Sequence, residues 1–502
     1  MHSRSAWLDA LTRHAAERPG AAAVAEVSVD GEITRTETWQ EFLWNVDARA
    51  SELGHVAQPG ETVLAAWGSG IDLAAWFAGA VAAGVRLVLM HPRCGARECA
   101  AVCAKADVRA VLAAESLLAR IPETVARVGD LSHGAALQRR GNNTEGHMPG
   151  SIVLGSSGTT GLPKLVLRES AALDADAAGV AGGLSLTSGD CVLCVPPLCH
   201  SYGVDMLLGT LFAGATLRVM PAFDPVGVAR QLTGGVTVLP GLPFVYESLA
   251  RLWGVDGDVD RASPSPSCPP HTLRLAVSAG SSLSARVRRE FTDTWKIEIG
   301  QLYGATELGT VSLSIPGEAG FDGESIGLPL PGVSFRVVDV DDPARLVAPG
   351  EEGQLAVRAP SMLTGYLDDA LSLVDGHLLT GDLARLDRSG GGRVTITGRI
   401  KLLIDTGGFK VNPLEVEGAL LEHPDVAECA VVPMVLSDTI QRLSMLVVPR
   451  DAGRPPVDSE LRQFLRERLA PVKVPRSFEI VGSLPRSPLG KLLRDQLAKR
   501  SV

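Results

Sequence analysis

Residues 156–164, SSGTTGLPK, crowd the hydroxyls of Ser156, Ser157, Thr159 and Thr160, the glycines Gly158 and Gly161 and the cation of Lys164 into one short stretch. Glycine lets backbone N–H groups come close to a ligand, the hydroxyls and N–H groups donate hydrogen bonds, and an ammonium adds charge, which together suit a polyphosphate. The spacing is not that of a Walker loop, because Pro163 separates the glycine from the lysine and no hydroxyl follows Lys164. A Gly/Ser/Thr-rich stretch is also the composition of a plain surface loop, so this motif by itself leaves both readings open. A second group, Cys191, Cys194, Cys199 and His200 in CVLCVPPLCH, has the residue types of a zinc site. Its first two cysteines fall in a Val/Leu strand and two prolines stiffen the rest, so small core residues are the expectation there.

The elements that must position these residues follow from composition and pattern. The chain has 502 residues, 45% hydrophobic and 21% charged, which fits a globular enzyme of more than one domain. A formal net charge of −10 argues against a nucleic-acid partner, and no basic run suggests a membrane-surface patch. Residues 1–20 read as an amphipathic helix without the apolar core of a signal peptide. The apolar run 73–85 is shorter than the roughly 20 residues a membrane span needs, so a buried helix is expected. Eight cysteines in so long a chain do not make a disulfide framework, and a cytoplasmic location follows as the expectation.

Strand and helix patterns alternate from the N-terminus: strand 62–67, helix 71–84, strand 85–90, then a short buried strand at 152–154 leading into the phosphate-loop candidate. Ser170 is placed to cap a helix, and strands are expected at 191–195 and 216–220. Residues 256–270, DGDVDRASPSPSCPP, have little to bury and read as a mobile surface loop. From 327 to 397 the strand-like runs 334–340, 353–358 and 394–397 suggest a β subdomain, and after Gly398-Arg399 a second domain begins, with strands at 426–432 and 443–448 and a helix at 459–469. The fold class is α/β. A large multi-layer N-terminal domain with a β subdomain, residues 1–398, carries a small, mobile α+β C-terminal lid, residues 399–502.

Further motifs occur in a fixed order: HSYG at 200–203, YGATE at 303–307, TGD at 380–382, GRIK at 398–401, GGFKVNPLEVE at 407–417 and PRSPLGK at 485–491. With SSGTTGLPK they resemble the adenylate-forming superfamily of acyl-CoA synthetases, adenylation domains and luciferases, most nearly its acyl- and aryl-CoA ligases. The resemblance implies two steps: a carboxylate attacks the α-phosphate of ATP to give acyl-adenylate and pyrophosphate, and a thiol then displaces AMP. A carboxylate is already a nucleophile at neutral pH, so charge stabilisation and positioning carry the catalysis. ATP, Mg²⁺ and CoA are implied.

The resemblance also implies roles. Ser156, Ser157, Gly158, Thr159, Thr160, Gly161 and Lys164 cradle the phosphates. Glu307 binds Mg²⁺, a hard cation that takes oxygen ligands. Tyr303 stacks on the adenine beside Gly304, Ala305 and Thr306, with Ser278, Ala279 and Gly280 lining the same site. Asp382 accepts from the ribose hydroxyls and Arg399 helps to hold them. Lys491 sits between the attacking carboxylate and the α-phosphate, brought in by the small domain about a hinge at Lys401. Lys491, Glu307, Thr160 and His200 form the catalytic set, and His200, Ser201, Tyr202, Gly203, Asp205, Phe244, Ser281 and Gly304 border the acid.

In one respect the pattern departs from the family. Leu402 stands where many ligases have an acid, and Asp405 and Gly407 stand where they often have lysines. That leaves the thiol step open between CoA and an acyl acceptor protein, and an inactive adenylate-binding regulator is the reading from another class. The pocket borders carry small residues and few aromatics, which suggests a bulky or extended apolar acid, aryl, polycyclic or fatty. On that reading Asp205 either recognises a polar group or faces solvent.

Overall fold

The computed structural model describes residues 5–113, 126–128, 150–156, 164–254, 270–367, 369–388, 391–406, 410–437, 440–486 and 492–498. Strands rich in Val, Leu and Ala that are buried on both faces require helices on both sides, and that is how the large body is built. One sheet runs Gly365–Tyr366, Lys164–Arg168, Ile152–Ser156, Arg86–Leu89, Thr62–Ala66, Val108–Ala113 and Ala126–Val128. Its pairs are parallel from Ile152–Ser156 onward, whereas Ile152–Ser156 and Lys164–Arg168 pair antiparallel, so the stretch between them joins two strands side by side. A second sheet has its parallel core at Leu275–Ser278, Val238–Gly241, Cys191–Cys194 and Thr216–Val219, with the antiparallel hairpin of Ile299–Ala305 and Gly309–Ser314 continuing one side.

The largest apolar cluster lies between these sheets. Leu87 and Ile152 come from the first, Val192, Val238 and Val277 from the second, and Phe77, Leu207 and Val180 from helices sandwiched between them. Helix Ile71–Ala83 is apolar all round because it is buried all round. The run 73–85 therefore divides: the helix stops at Ala83 because Gly84 turns left-handed at φ 71°, and Val85 leads into strand Arg86–Leu89. Ser170 is one position off its expected role. It is the first residue of helix Ser170–Gly183, the cap position falls on Glu169 in extended conformation, and no side chain caps the end. Of residues 256–270, all but Pro270 lie outside the described residues.

The β subdomain pairs Ser334–Val338, Glu352–Arg358, His377–Leu386 and Leu373–Val374, with Val394–Arg399 alongside His377–Leu386. Its core of Val337, Leu355, Val357 and Ala384 packs on Leu308 and Val311 of the Tyr303 hairpin, which locks that hairpin between two sheets. After Arg399 come a short 3₁₀ turn, Ile400–Leu402, and the C-terminal unit. There Asn412 caps helix Pro413–Leu420, and the antiparallel pair Val426–Ser437 and Ile440–Pro449 takes Ser477–Ile480 in parallel. Arg494 donates to both oxygens of the buried Glu417 at 2.8 and 2.7 Å, and Val431 N–H adds a third bond at 2.7 Å, pinning helix to sheet.

Candidate functional site

Three strands bring Tyr303, Asp382 and Arg399 together. Asp382 and Arg399 face each other across an antiparallel pair, and Tyr303 reaches them from the main sheet. The Tyr303 hydroxyl donates to Asp382 Oδ2 at 2.7 Å and Arg399 Nε donates to Oδ1 at 2.5 Å, while the Asp382 N–H donates to Thr380 Oγ1 at 3.1 Å. Burial, together with the adjoining Asp382 carboxylate, pushes the Tyr303 phenol well above its ordinary range. Burial works against the Arg399 charge, but Asp382 more than offsets it and the guanidinium is raised. The result is a fixed carboxylate with acceptor capacity to spare, beside an aromatic ring.

Glu307 lies in the turn between the strands of the Tyr303 hairpin. Its carbonyl accepts from Leu363 N–H at 2.7 Å, and Tyr366 Oη stands 3.5 Å from its Oε1. Burial and then Glu307 push the Tyr366 phenol up to about 12. Lys164 opens the strand after the phosphate-loop candidate, with Nζ 2.5 Å from Asp369 and 5.0 Å from the centre of the Tyr366 ring. Tyr366 thus links the lysine of one motif to the carboxylate of another. A half-exposed, acceptor-only carboxylate in a held turn has the donor chemistry a hard divalent cation takes. Ser156 closes the strand before the loop; Ser157, Gly158, Thr159, Thr160 and Gly161 lie outside the described residues, as does Lys491.

On the acid side, His200 stands at the start of helix Ser201–Phe212, its ring 6.4 Å from that of His91 and tilted 29° to it. Gly203 is where that helix turns against residue 197: a Cβ there would stand 2.1 Å from the Pro197 carbonyl oxygen. Tyr202 turns its hydroxyl into the sheet, donating to Val277 O at 3.0 Å. Ser278 and Ala279 are buried at a strand end, Gly280 and Ser281 are exposed, and Phe244 packs edge-on to Phe223 at 5.1 Å. Phe244 and Ser281 also line a cavity of about 150 Å³ shared with Arg286 and with Leu421, Cys429 and Arg486 of the small domain. Gly304, Ala305 and Thr306 follow Tyr303 in the hairpin, and Lys401 is exposed in the 3₁₀ turn.

Asp205 corrects its expectation. It neither recognises a substrate group nor faces solvent, because its side chain is 3% exposed and accepts from Arg168 Nη1 at 3.1 Å. Arg168 lies 37 residues away, so neighbouring residues gave no sign of this pair. The other residues missed in the sequence, Tyr366, Asp369 and His91, sit in short strands or turns with no periodic signal. Cys191 and Cys194 are buried in their strand, the latter donating to Pro196 O at 3.3 Å. No group of three or more metal-ligating side chains gathers among the described residues.

This arrangement brings an ion-paired carboxylate, a tyrosine ring and a second carboxylate to the place where the main α/β sheets meet a β subdomain, groups with the acceptor chemistry that a nucleotide and a hard cation would use. Residues 11–367 match the family model described as AMP-binding enzyme, and residues 415–491 match that of the AMP-binding enzyme C-terminal domain. The chain belongs to the AMP-binding enzymes of the adenylate-forming superfamily.

A probable CoA ligase of Humulus lupulus, CCL8, is 27% identical over 90% of this chain and 79% of its own. The fatty acid–[acyl-carrier-protein] ligase ScoC of Streptomyces coeruleorubidus is 32% identical over 77% of this chain and 75% of its own. For several further CoA-ligase relatives the chain spans between 60% and 65% of their length. The class is that of the acid–thiol ligases. In fold, the ATP-bound MatB of Rhodopseudomonas palustris superposes with a TM-score of 0.85 at 24% identity, over 100% of both chains. No described helix is long and apolar enough to cross a membrane.

Proposed function

We propose that this chain condenses a carboxylic acid with ATP to give acyl-adenylate and pyrophosphate, then passes the acyl group to the thiol of CoA. The observation that carries the reading is the Tyr303–Asp382–Arg399 cluster, whose carboxylate is held by bonds of 2.7 and 2.5 Å with the rest of its acceptor capacity unused. Asp382 takes the ribose hydroxyls, Arg399 orients Asp382, and Tyr303 gives its ring to the adenine beside Ser278, Ala279, Gly280, Gly304, Ala305 and Thr306. Glu307 is the Mg²⁺ ligand, and when bound the ion neutralises phosphate charge as the pyrophosphate leaves. Ser156, Ser157, Gly158, Thr159, Thr160, Gly161 and Lys164 hold that pyrophosphate. Lys491 neutralises the charge where carboxylate meets α-phosphate, supplied by a small domain, 399–502, that turns at Lys401 against the body, 1–398.

His200, Ser201, Tyr202, Gly203, Phe244, Ser281 and Gly304 border the acid. With Asp205 withdrawn into the core, the described borders carry no carboxylate, which supports an apolar acid of aryl, polycyclic or fatty type. The second reading, transfer to an acyl acceptor protein, is favoured by Leu402, Asp405 and Gly407 and by the likeness to an acyl-carrier-protein ligase. No disulfide joins the cysteines among the described residues, which fits a cytoplasmic setting.

The test is product analysis with ATP, Mg²⁺ and a panel of acids, with and without CoA, with Lys491→Ala as control. Acyl-CoA together with pyrophosphate is expected. Acyl-AMP that persists when CoA is added assigns the thiol step to a carrier protein, and no adenylate from any acid refutes the reading.

A further inference from the structure

Arg168, Asp176 and Asp205 form an ion cluster whose side chains are 0%, 0% and 3% exposed. Arg168 Nη2 donates to Asp176 Oδ2 at 2.6 Å and Nη1 to Asp205 Oδ1 at 3.1 Å. Thr310 closes the far side: its N–H donates to Asp176 Oδ1 and its hydroxyl to Asp205 Oδ2, both at 3.1 Å. Burial and then the neighbouring Asp176 raise Asp205 well above the usual carboxylate range, against the opposing pull of Arg168. Desolvating ions at this depth costs several kcal/mol each, and apolar side chains of equal volume are often as stable or more so. Stability is therefore a weak reason for the cluster to exist, and its location supplies a better one.

Arg168 ends the strand that follows the phosphate-loop candidate, Asp205 lies on the helix headed by His200, and Thr310 is the second residue of the strand after the Glu307 turn. Pieces of the site that are far apart in sequence meet at one guanidinium. Gly309, between Glu307 and Thr310, has φ 67°, and a Cβ there would stand 2.6 Å from Arg168 Nη2. The turn can settle onto the cluster only because that residue has no side chain.

We propose that Arg168 is a positioning residue, which sets the Glu307 turn, the strand opened by Lys164 and the His200 helix in one register so that Glu307, as Mg²⁺ ligand, and Lys164 serve the same nucleotide. This rests on the adenylation reading above. A lysine is a poor substitute, since its single nitrogen cannot stand where two separate Nη atoms, spread by the planar guanidinium, reach Asp176 and Asp205.

The experiment compares Arg168→Lys and Thr310→Val with the unmodified enzyme. Pyrophosphate release is measured against Mg²⁺ concentration, Mn²⁺ binding in the presence of ATP is followed by electron paramagnetic resonance, and the thermal midpoint is recorded alongside. Losing a group that orients a metal ligand typically weakens metal binding about 10–100-fold, and that shift is expected in both metal readouts for Arg168→Lys. Thr310→Val, which keeps the backbone bond to Asp176, shifts them less; it is the variant that remains if the lysine form does not fold.

A lowered midpoint or a smaller active fraction with metal half-saturation unchanged in both variants overturns the inference. An unmodified enzyme that binds Mn²⁺–ATP but adenylates no acid refutes the function while the Mn²⁺ comparison still decides the role of Arg168.

Discussion

Asp382→Asn is the sharpest test of the nucleotide grip. The change keeps size and shape but swaps one acceptor oxygen for an NH₂ group and removes the charge. Both carboxylate oxygens are engaged, Oδ1 by Arg399 Nε at 2.5 Å and Oδ2 by the Tyr303 hydroxyl at 2.7 Å. If the amide nitrogen faces Arg399, two donors oppose each other; if it faces Tyr303, the phenol must turn round to accept. Either way a charge-assisted bond is lost, and the ribose hydroxyls lose an ionised acceptor with two of its roughly four lone-pair directions still open. Hydrogen bonds to charged groups contribute about 1.5–3 kcal/mol, so losing the anchor and weakening the ribose contact should cost about 3 kcal/mol, a fall on the order of a hundredfold in kcat/KM for ATP.

The assay is pyrophosphate release at saturating acid across an ATP series, repeated with 2′-deoxy-ATP and 3′-deoxy-ATP. The unmodified enzyme should lose about tenfold with each deoxy analogue, and the variant much less, because the partner of the missing hydroxyl has already been weakened. A folded variant within threefold of the unmodified enzyme, or one that penalises the deoxy analogues equally, refutes the placement of the ribose on Asp382.

Other perturbations have equally definite outcomes. Gly327→Ala puts a Cβ 1.8 Å from the Leu313 carbonyl oxygen at φ 86°, so it should destabilise the large body by more than about 3 kcal/mol in urea unfolding. Tyr246→Phe removes a fully buried hydroxyl that lies 2.8 and 2.7 Å from the carbonyls of Leu239 and Val277, at a cost of about 1–2 kcal/mol in the same measurement. Asp205, facing Arg168, Asp176 and Thr310, holds its proton more tightly folded than unfolded. Its contribution is complete below the ordinary carboxylate pKa and is lost as pH rises toward the folded pKa, by up to about 1.4 kcal/mol per pH unit. Asp205→Asn removes that loss, so stability of the variant relative to the unmodified protein should climb as pH rises above the ordinary carboxylate range, and a flat difference would contradict a raised Asp205 pKa.

The contrast between what the sequence disclosed and what it hid is physical. Buried elements announce themselves by apolar runs or alternation, which is why Cys191–Cys194, the alternating Thr216–Val219 and the apolar helix Ile71–Ala83 were legible within a residue or so. Tyr303, Asp382 and Arg399 were legible because short motifs marked them, yet nothing local said that they touch: they sit on three strands, and only pairing of Asp382 opposite Arg399 makes them neighbours. Asp205 was misread for the converse reason. On the chain it follows the His200 motif and has the look of a pocket residue, but helix Ser201–Phe212 turns it inward toward Arg168 on a different sheet. Charge pairing between distant elements leaves no periodic trace. Ser170 went one position astray because its helix starts without a capping side chain, so the usual sequence signal was absent.

The order of elements near residue 400 also bears on how two half-reactions can share one site. Arg399 is the last residue of a strand paired to the β subdomain, and the 3₁₀ turn holding Lys401 begins immediately after it. A rotation at Lys401 therefore leaves the Arg399–Asp382 bond and the strand pairing behind it intact, while everything C-terminal moves. Among the described residues, ties between the C-terminal unit and the body include Arg286 Nη2 donating to Ala427 O at 3.2 Å and Arg450 lying 3.5 Å from Glu290. The half-exposed Arg450–Glu290 pair is of the kind that costs little to exchange, whereas Arg286 is 11% exposed. The Tyr303–Asp382–Arg399 cluster is thus built into the strands that precede that boundary. On the function proposed above, Lys491 would be supplied from beyond that boundary, so that holding the nucleotide and timing the chemistry would fall on opposite sides of a single residue.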